Sequence, residues 1–83
     1  MNPETVKRAS DAKRLREDEA FISFVQEVRD AQIVVFLNPA SSSEDREAAH
    51  QMVQAINQIE LRLKSAEDAL RFEQQKDQHR ADD

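Results

Sequence analysis

Apolar residues in the C-terminal half of the chain recur three and four residues apart, in strict alternation. The positions that share this spacing are Ala49, Met52, Ile56, Ile59, Leu63, Ala66 and Leu70. Because such steps return to the same side of an α-helix, they form one apolar stripe, which is typical of a coiled-coil seam. The pattern predicts a helix from about residue 43 to the high 70s, followed by a polar tail at residues 79–83.

The N-terminal half carries a second apolar stripe. Its members are Phe21, Phe24, Val28, Ala31 and Val35, with Val25 beside them, and upstream the pattern thins to Val6, Ala9, Ala12 and Leu15. We interpret this half as one long, kinked helix over about residues 3–37. The alternative is a separate helix that begins near Asp18, with the acidic run 17–19 as its first turn.

The two halves are separated by the sequence Asn-Pro-Ala-Ser-Ser-Ser at residues 38–43. Proline disfavours the helical conformation in the residue before it, so the first helix should end near Leu37 or Asn38. The serine hydroxyls can then cap the next helix, and Ser41 with Glu44 has the spacing of a capping box. This segment predicts a short turn at residues 38–43.

Composition favours helices throughout. The 83-residue chain has no Gly, Cys, Trp or Tyr, and its only prolines are Pro3 and Pro39, whereas sheets and tight turns usually need glycine, aromatic and β-branched residues. We predict an all-α fold, an antiparallel helical hairpin of two long, coiled-coil-like helices that assembles into a helical bundle. Residues 1–17 would be a basic N-terminal helical extension, and residues 18–78 the hairpin itself.

The chain shows no secretory signal and no membrane span. Its longest continuous apolar run, residues 33–37, has five residues, whereas a transmembrane helix needs about 20. The lack of cysteine rules out a disulfide framework and fits a reducing compartment. We therefore expect an intracellular protein.

The same five-residue run predicts self-association, because it is apolar around the whole helix and one partner helix covers only one side. The predicted homo-oligomer interface comprises Phe21, Phe24, Val25, Val28, Ile33, Val34, Val35, Phe36, Leu37, Met52, Ile56, Ile59, Leu63 and Leu70. Three alternatives stay open: a buried β-strand at residues 33–37, an ordinary core end covered by the turn, and a different protein as partner.

The net charge of −5 is unevenly distributed. Within residues 1–16, the basic residues are Lys7, Arg8, Lys13, Arg14 and Arg16, against Glu4 and Asp11, a local balance of +3. This segment is a candidate contact for nucleic-acid phosphates or an acidic partner. We favour pairing within the protein or between its copies, because the hairpin would place Glu67, Asp68 and Glu73 opposite it. A membrane-surface role has little apolar backing.

The sequence predicts no enzyme, no cofactor and no small-molecule substrate, because no convergent set of polar groups can be assembled from it. Glu47 and His50 have the ExxH spacing of carboxylate-bridged metal helices. The helix segment expected opposite, residues 28–33, offers no matching ligands, so we predict no metal site. Ser41, Ser42 and Ser43 lack a nearby base and are interpreted as caps.

Residues 15–69 resemble short helical proteins of tailed bacteriophages and prophages, encoded near packaging and head genes. The resemblance is carried by residues 15–21 (LREDEAF), 36–38 (FLN), 44–50 (EDREAAH) and 56–60 (INQIE). It implies a virion-assembly or DNA-packaging accessory that acts through protein contacts, in the bacterial host cytoplasm or incorporated in the virion, with other phage structural proteins as further partners. It implies no catalytic residue.

A second resemblance is to the short helical-hairpin subunits and chaperones of type III secretion systems, which also turn at Asn-Pro. The present chain lacks the tandem Asn-Pro turn of the needle subunits, and its C-terminus is charged where theirs is apolar. Two further functions therefore stay open beside the phage role: a nucleic-acid-binding accessory and a secretion-type chaperone or subunit.

Overall fold

The chain folds into three α-helices. A computed structural model describes residues 2–81, with side chains described for residues 2–79. The helices are α1 (Pro3–Arg16), α2 (Glu19–Leu37) and α3 (Ser43–Ala81), and no strand occurs among the described residues. The all-α prediction is confirmed, and the strand alternative at residues 33–37 is wrong. Asp82 and Asp83, the end of the predicted polar tail, lie outside the described residues.

The predicted single helix over residues 3–37 is wrong, because the chain leaves the helical conformation at Asp18. The backbone there is extended (φ −73°, ψ 118°), and the Asp18 carboxylate accepts a hydrogen bond from the Phe21 amide at 2.8 Å. That bond satisfies one of the free N–H groups at the start of α2. Glu19 then places a negative charge at the positive end of the helix dipole. The acidic run 17–19 therefore begins a new helix.

The start of α1 is capped in a similar way. Asn2 has extended backbone angles, and its Oδ1 accepts from the Glu4 amide at 2.9 Å. Pro3 occupies the first helical position, where its missing N–H has no intrahelical partner to lose.

The turn between α2 and α3 contains the predicted signals, with one shift. Asn38 is extended, as expected before Pro39, and its side chain accepts from the Ala40 amide at 2.9 Å. The capping box uses Ser42 and Asp45: Ser42 Oγ accepts from the Asp45 amide at 3.0 Å, and the Asp45 carboxylate accepts from the Ser42 amide at 3.1 Å. The predicted pairing one residue earlier, Ser41 with Glu44, is wrong, although α3 does begin near residue 43.

The α1 and α2 helices both run antiparallel to α3. Thr5 Oγ1 donates to Glu73 at 3.3 Å, Arg16 bonds to Glu67 at 2.8 Å, and Arg29 bonds to Glu60, so partners on α3 descend as residues on the first two helices ascend. The described molecule measures 64 × 24 × 17 Å. No helix within residues 2–81 has the combined length and apolar character needed to cross a membrane.

The core is small and unevenly placed. The buried apolar residues are Ala9, Ala12, Ala49, Ile56 and Ala66. Four of them are alanines, so the helices approach closely there, but little apolar surface is removed from water. No residue of α2 is buried, although α2 is the most apolar helix. The structure therefore leaves its most hydrophobic element incompletely covered.

Replacing Asp18 by alanine should destabilise the protein through the lost cap. We expect Asp18→Ala to lower the free energy of unfolding by about 1 kcal/mol, the usual cost of removing a helix N-cap. Asp18→Asn is the matched control, because asparagine caps a helix about as well as aspartate. Urea unfolding followed by circular dichroism measures both variants. Equal urea midpoints for Asp18→Ala and Asp18→Asn would show that the start of α2 does not depend on this cap.

Candidate interaction surface

The apolar residues of α2 are the outstanding surface feature of the molecule. Phe24, Val34 and Leu37 are 67%, 64% and 76% exposed. Of the residues predicted to form an interface, those exposed are Phe24, Val28, Ile33, Val34, Phe36, Leu37, Met52 and Ile59; those half-buried are Phe21, Val25, Val35, Leu63 and Leu70; and Ile56 is buried. Most of the set is thus available for contact, and its use as an interface stays a prediction.

The exposure of α2 follows from the number of helices that surround it. Its principal neighbour is α3, and its contacts with α1 are few. One neighbouring helix covers one side of a cylinder, but residues 33–37 carry apolar side chains all the way around. Covering the remaining sides would require helices in addition to the three that the described residues form.

One side of the α2–α3 seam is an open groove of ≈ 870 Å³. Its apolar lining consists of Phe21, Ile22, Val25, Leu61 and Leu63, and its charged lining of Arg16, Arg29, Glu60, Lys64, Glu67, Asp68 and Arg71. Two ion pairs connect its walls, Arg16 with Glu67 and Arg29 with Glu60, and the Arg29 guanidinium also donates to Asn57 at 3.2 Å. We call this side the charged groove.

On the other side of the same seam, exposed apolar residues occur on both α2 and α3. Phe24, Val28 and Ala31 lie four and three residues apart and therefore share one side of α2. Met52 and Ile59 lie seven residues apart on α3, where they are 47% and 50% exposed. None of these five residues lines the charged groove. We call the surface that they form the uncharged flank.

Most of the basic segment near the N-terminus is already engaged in ion pairs. Lys7 and Arg14 both bind Asp11, at 2.9 Å and 2.7 Å, and the hydrogen bond from Lys7 is the main reason why the pKa of Asp11 lies below its usual value. Arg16 forms two hydrogen bonds with Glu67, at 2.8 Å and 3.0 Å. The predicted pairing with α3 is therefore present at Arg16.

The remaining predicted partners in this region are used differently. Glu73 accepts from the Asn2 amide and the Thr5 hydroxyl, and Asp68 lies 3.5 Å from Arg71 of its own helix. Arg8 and Lys13 form no ion pair with a described residue. Because the other three basic residues of the segment are paired with carboxylates, less positive charge is available to a partner than the sequence alone suggests.

Within the described part of the chain, no group of three or more His, Asp or Glu side chains could hold a metal ion. His50, of the ExxH pair with Glu47, is exposed. The displaced pKa values belong to Asp11, Arg16 and Glu67, which are members of surface ion pairs and need no functional explanation.

Several residues that shape these surfaces are absent from the sequence-based set. Ile22 and Leu61 line the charged groove, and Arg29 and Glu60 connect its two walls. The position of Ile22 beside Phe21 in an apolar cluster was an available signal. No sequence signal indicated the pairing of Arg29 with Glu60, because this pairing depends on how α2 and α3 are aligned along their axes.

Comparison of the sequence with protein-family models, with curated proteins and with solved structures gave no match.

The ion pair between Arg16 and Glu67 should make stability depend on pH. The hydrogen bond from Arg16 holds the pKa of Glu67 below its ordinary value of 4.5. The unfolded chain therefore takes up this proton first, so the pair's contribution is present above that value and is lost as pH falls through the lowered folded-state pKa. Glu67→Gln should give a shallower loss of unfolding free energy between neutral and acidic pH.

Urea unfolding at a series of pH values measures this effect. Arg16→Gln should flatten the profile in the same way, and the double variant should add little, because both changes remove one shared interaction. Additive effects of the two substitutions would show that the residues act independently.

Proposed function

We propose that the protein is a non-enzymatic interaction protein that forms a homo-oligomer through helix–helix contacts. The observation that supports this most directly is the state of α2: its large apolar side chains are exposed or half-buried, and none is buried. Burial of apolar surface is favourable by about 25 cal/mol per Å², so covering several half-exposed side chains would stabilise an oligomer by several kcal/mol. A further copy would supply helices that cover these side chains.

We further propose that this assembly serves a tailed bacteriophage or prophage, as a virion-assembly or DNA-packaging accessory. The support is the resemblance of residues 15–69 together with an architecture suited to contacts between identical copies. The exposed end of α2, with Val34 and Leu37, would be available to other structural proteins of the particle. The protein would act by binding and positioning its partners in the host cytoplasm or within the virion.

A nucleic-acid-binding accessory has weaker support. Lys7, Arg14 and Arg16 are held by carboxylates of the same chain. Phosphate binding at these residues would have to displace those carboxylates, whereas only Arg8 and Lys13 are available without such exchange. We therefore place protein contacts ahead of nucleic-acid contacts.

The molar mass in solution tests the proposal. We expect light scattering on the purified protein to give a fixed multiple of 9.6 kDa, unchanged by moderate salt, because apolar contacts are not screened by ions. A mass equal to one chain at all accessible concentrations would contradict self-association.

The same measurement with added duplex DNA addresses the alternative. Protein–phosphate contacts weaken steeply as salt rises. A complex that forms at low salt, dissociates at high salt and is lost in Lys13→Gln would favour nucleic-acid binding over the proposal. Absence of a complex at low salt would favour contacts with protein alone.

A further inference from the structure

The two sides of the α2–α3 seam differ in a way that distinguishes their roles. In the charged groove, the centre contains ion pairs such as Arg29 with Glu60, so a second apolar surface placed there would bury charges at a desolvation cost. The centre of the uncharged flank contains apolar side chains, namely Phe24, Val28, Met52 and Ile59. Interfaces between protein copies characteristically have charge-depleted, apolar centres.

The size of the uncharged flank suits a dimer. At their observed exposures, its four large side chains leave on the order of 400 Å² of surface in water. A standard interface buries about 800 Å² per partner, of which roughly 60% is apolar. The flank therefore provides most of the apolar area that one such interface requires.

Charged residues at the edge of the flank indicate what covers it. Glu27 lies three residues after Phe24, at the outer edge on α2, and Arg62 lies three residues after Ile59, at the outer edge on α3. Both side chains are exposed, and neither forms an ion pair with a described residue. Their charges are opposite, so the surface carries complementary charges for a copy of itself.

The two edge residues have the same offset along the molecule as a pair that bonds across the seam. That pair is Arg29 and Glu60. Glu27 lies two residues before Arg29, and Arg62 lies two residues after Glu60, which keeps the offset when helices run antiparallel. A two-fold axis parallel to the helices preserves this offset in the second copy.

We infer that two copies pair face to face through the uncharged flank, with α2 of each against α3 of the other, and that Glu27 of each copy pairs with Arg62 of its partner. The inference rests on the self-association proposed above and specifies its geometry. Each α2 is then antiparallel to both of the α3 helices beside it, as neighbouring helices are in a four-helix bundle. Because such an interface is self-complementary, the ion pair occurs twice.

Charge reversal provides a test that separates pairing between copies from pairing within one. Glu27→Arg alone places Arg opposite Arg62 twice, and Arg62→Glu alone places Glu opposite Glu27 twice. We expect each to raise the dimer dissociation constant about tenfold. An equimolar mixture of the two variants should recover wild-type affinity, because in the mixed dimer both sites pair opposite charges. Sedimentation velocity with interference optics suits a chain without Trp or Tyr.

Matched controls come from the charged groove. Lys64→Glu changes the net charge by the same amount as Arg62→Glu and should leave the dissociation constant within about twofold of wild type, as expected for a charge outside the interface. Phe24→Asp should give monomers that keep their helical circular dichroism, whereas Ile22→Asp in the groove should remain dimeric.

Each other outcome is informative. A wild-type chain that is monomeric throughout would overturn both this inference and the proposed self-association. An oligomer that persists in Phe24→Asp but is lost in Ile22→Asp would leave self-association standing and assign it to the charged groove. Failure of the mixed variants to regain affinity, with their helices intact, would overturn the pairing of Glu27 with Arg62.

Discussion

The structure depends on a mismatch between α2 and its surroundings: among the described residues, this apolar helix packs along one long neighbour, α3. Packing against α3 half-buries Phe21, Val25 and Val35 but leaves Phe24 and Leu37 largely in water. Because burial of apolar surface is the main source of folding free energy, a core composed mainly of alanines contributes little of it. Association would therefore contribute to folding as well as to function.

The break at Asp18 divides the molecule into two parts with different contacts. On one side, α1 packs against α3 with Ala9 and Ala12 buried, and Arg16 at the end of α1 forms an ion pair with Glu67. On the other side, α2 carries the large apolar side chains that remain exposed. The N-terminal helix thus completes the short core, and the second helix presents the surface available to partners.

Local features of the chain were predictable from sequence, and relations between distant residues were not. The heptad spacing from Ala49 to Leu70 and the Asn38–Pro39 turn predicted α3 and its start, because both signals act within a few residues. The break was ambiguous, since the acidic run 17–19 fits either a continuous helix or a first turn. In the structure, the Phe21 amide donates to the Asp18 side chain, so the run is the start of a new helix. The pairing of Arg29 with Glu60 depends on how α2 and α3 pack along each other, and no pattern of neighbouring residues predicts it.

The most direct test of pairing between copies is the dependence of stability on protein concentration, because burial between copies stabilises the folded state by mass action. Urea unfolding should be measured over about a hundredfold range of concentration, which changes the stabilisation by up to about 2.7 kcal/mol when the folded state is dimeric. If the folded state is a dimer, the midpoint will rise steadily with concentration. A midpoint that is the same at every concentration would contradict self-association, since the apolar side chains of α2 would then need no second copy.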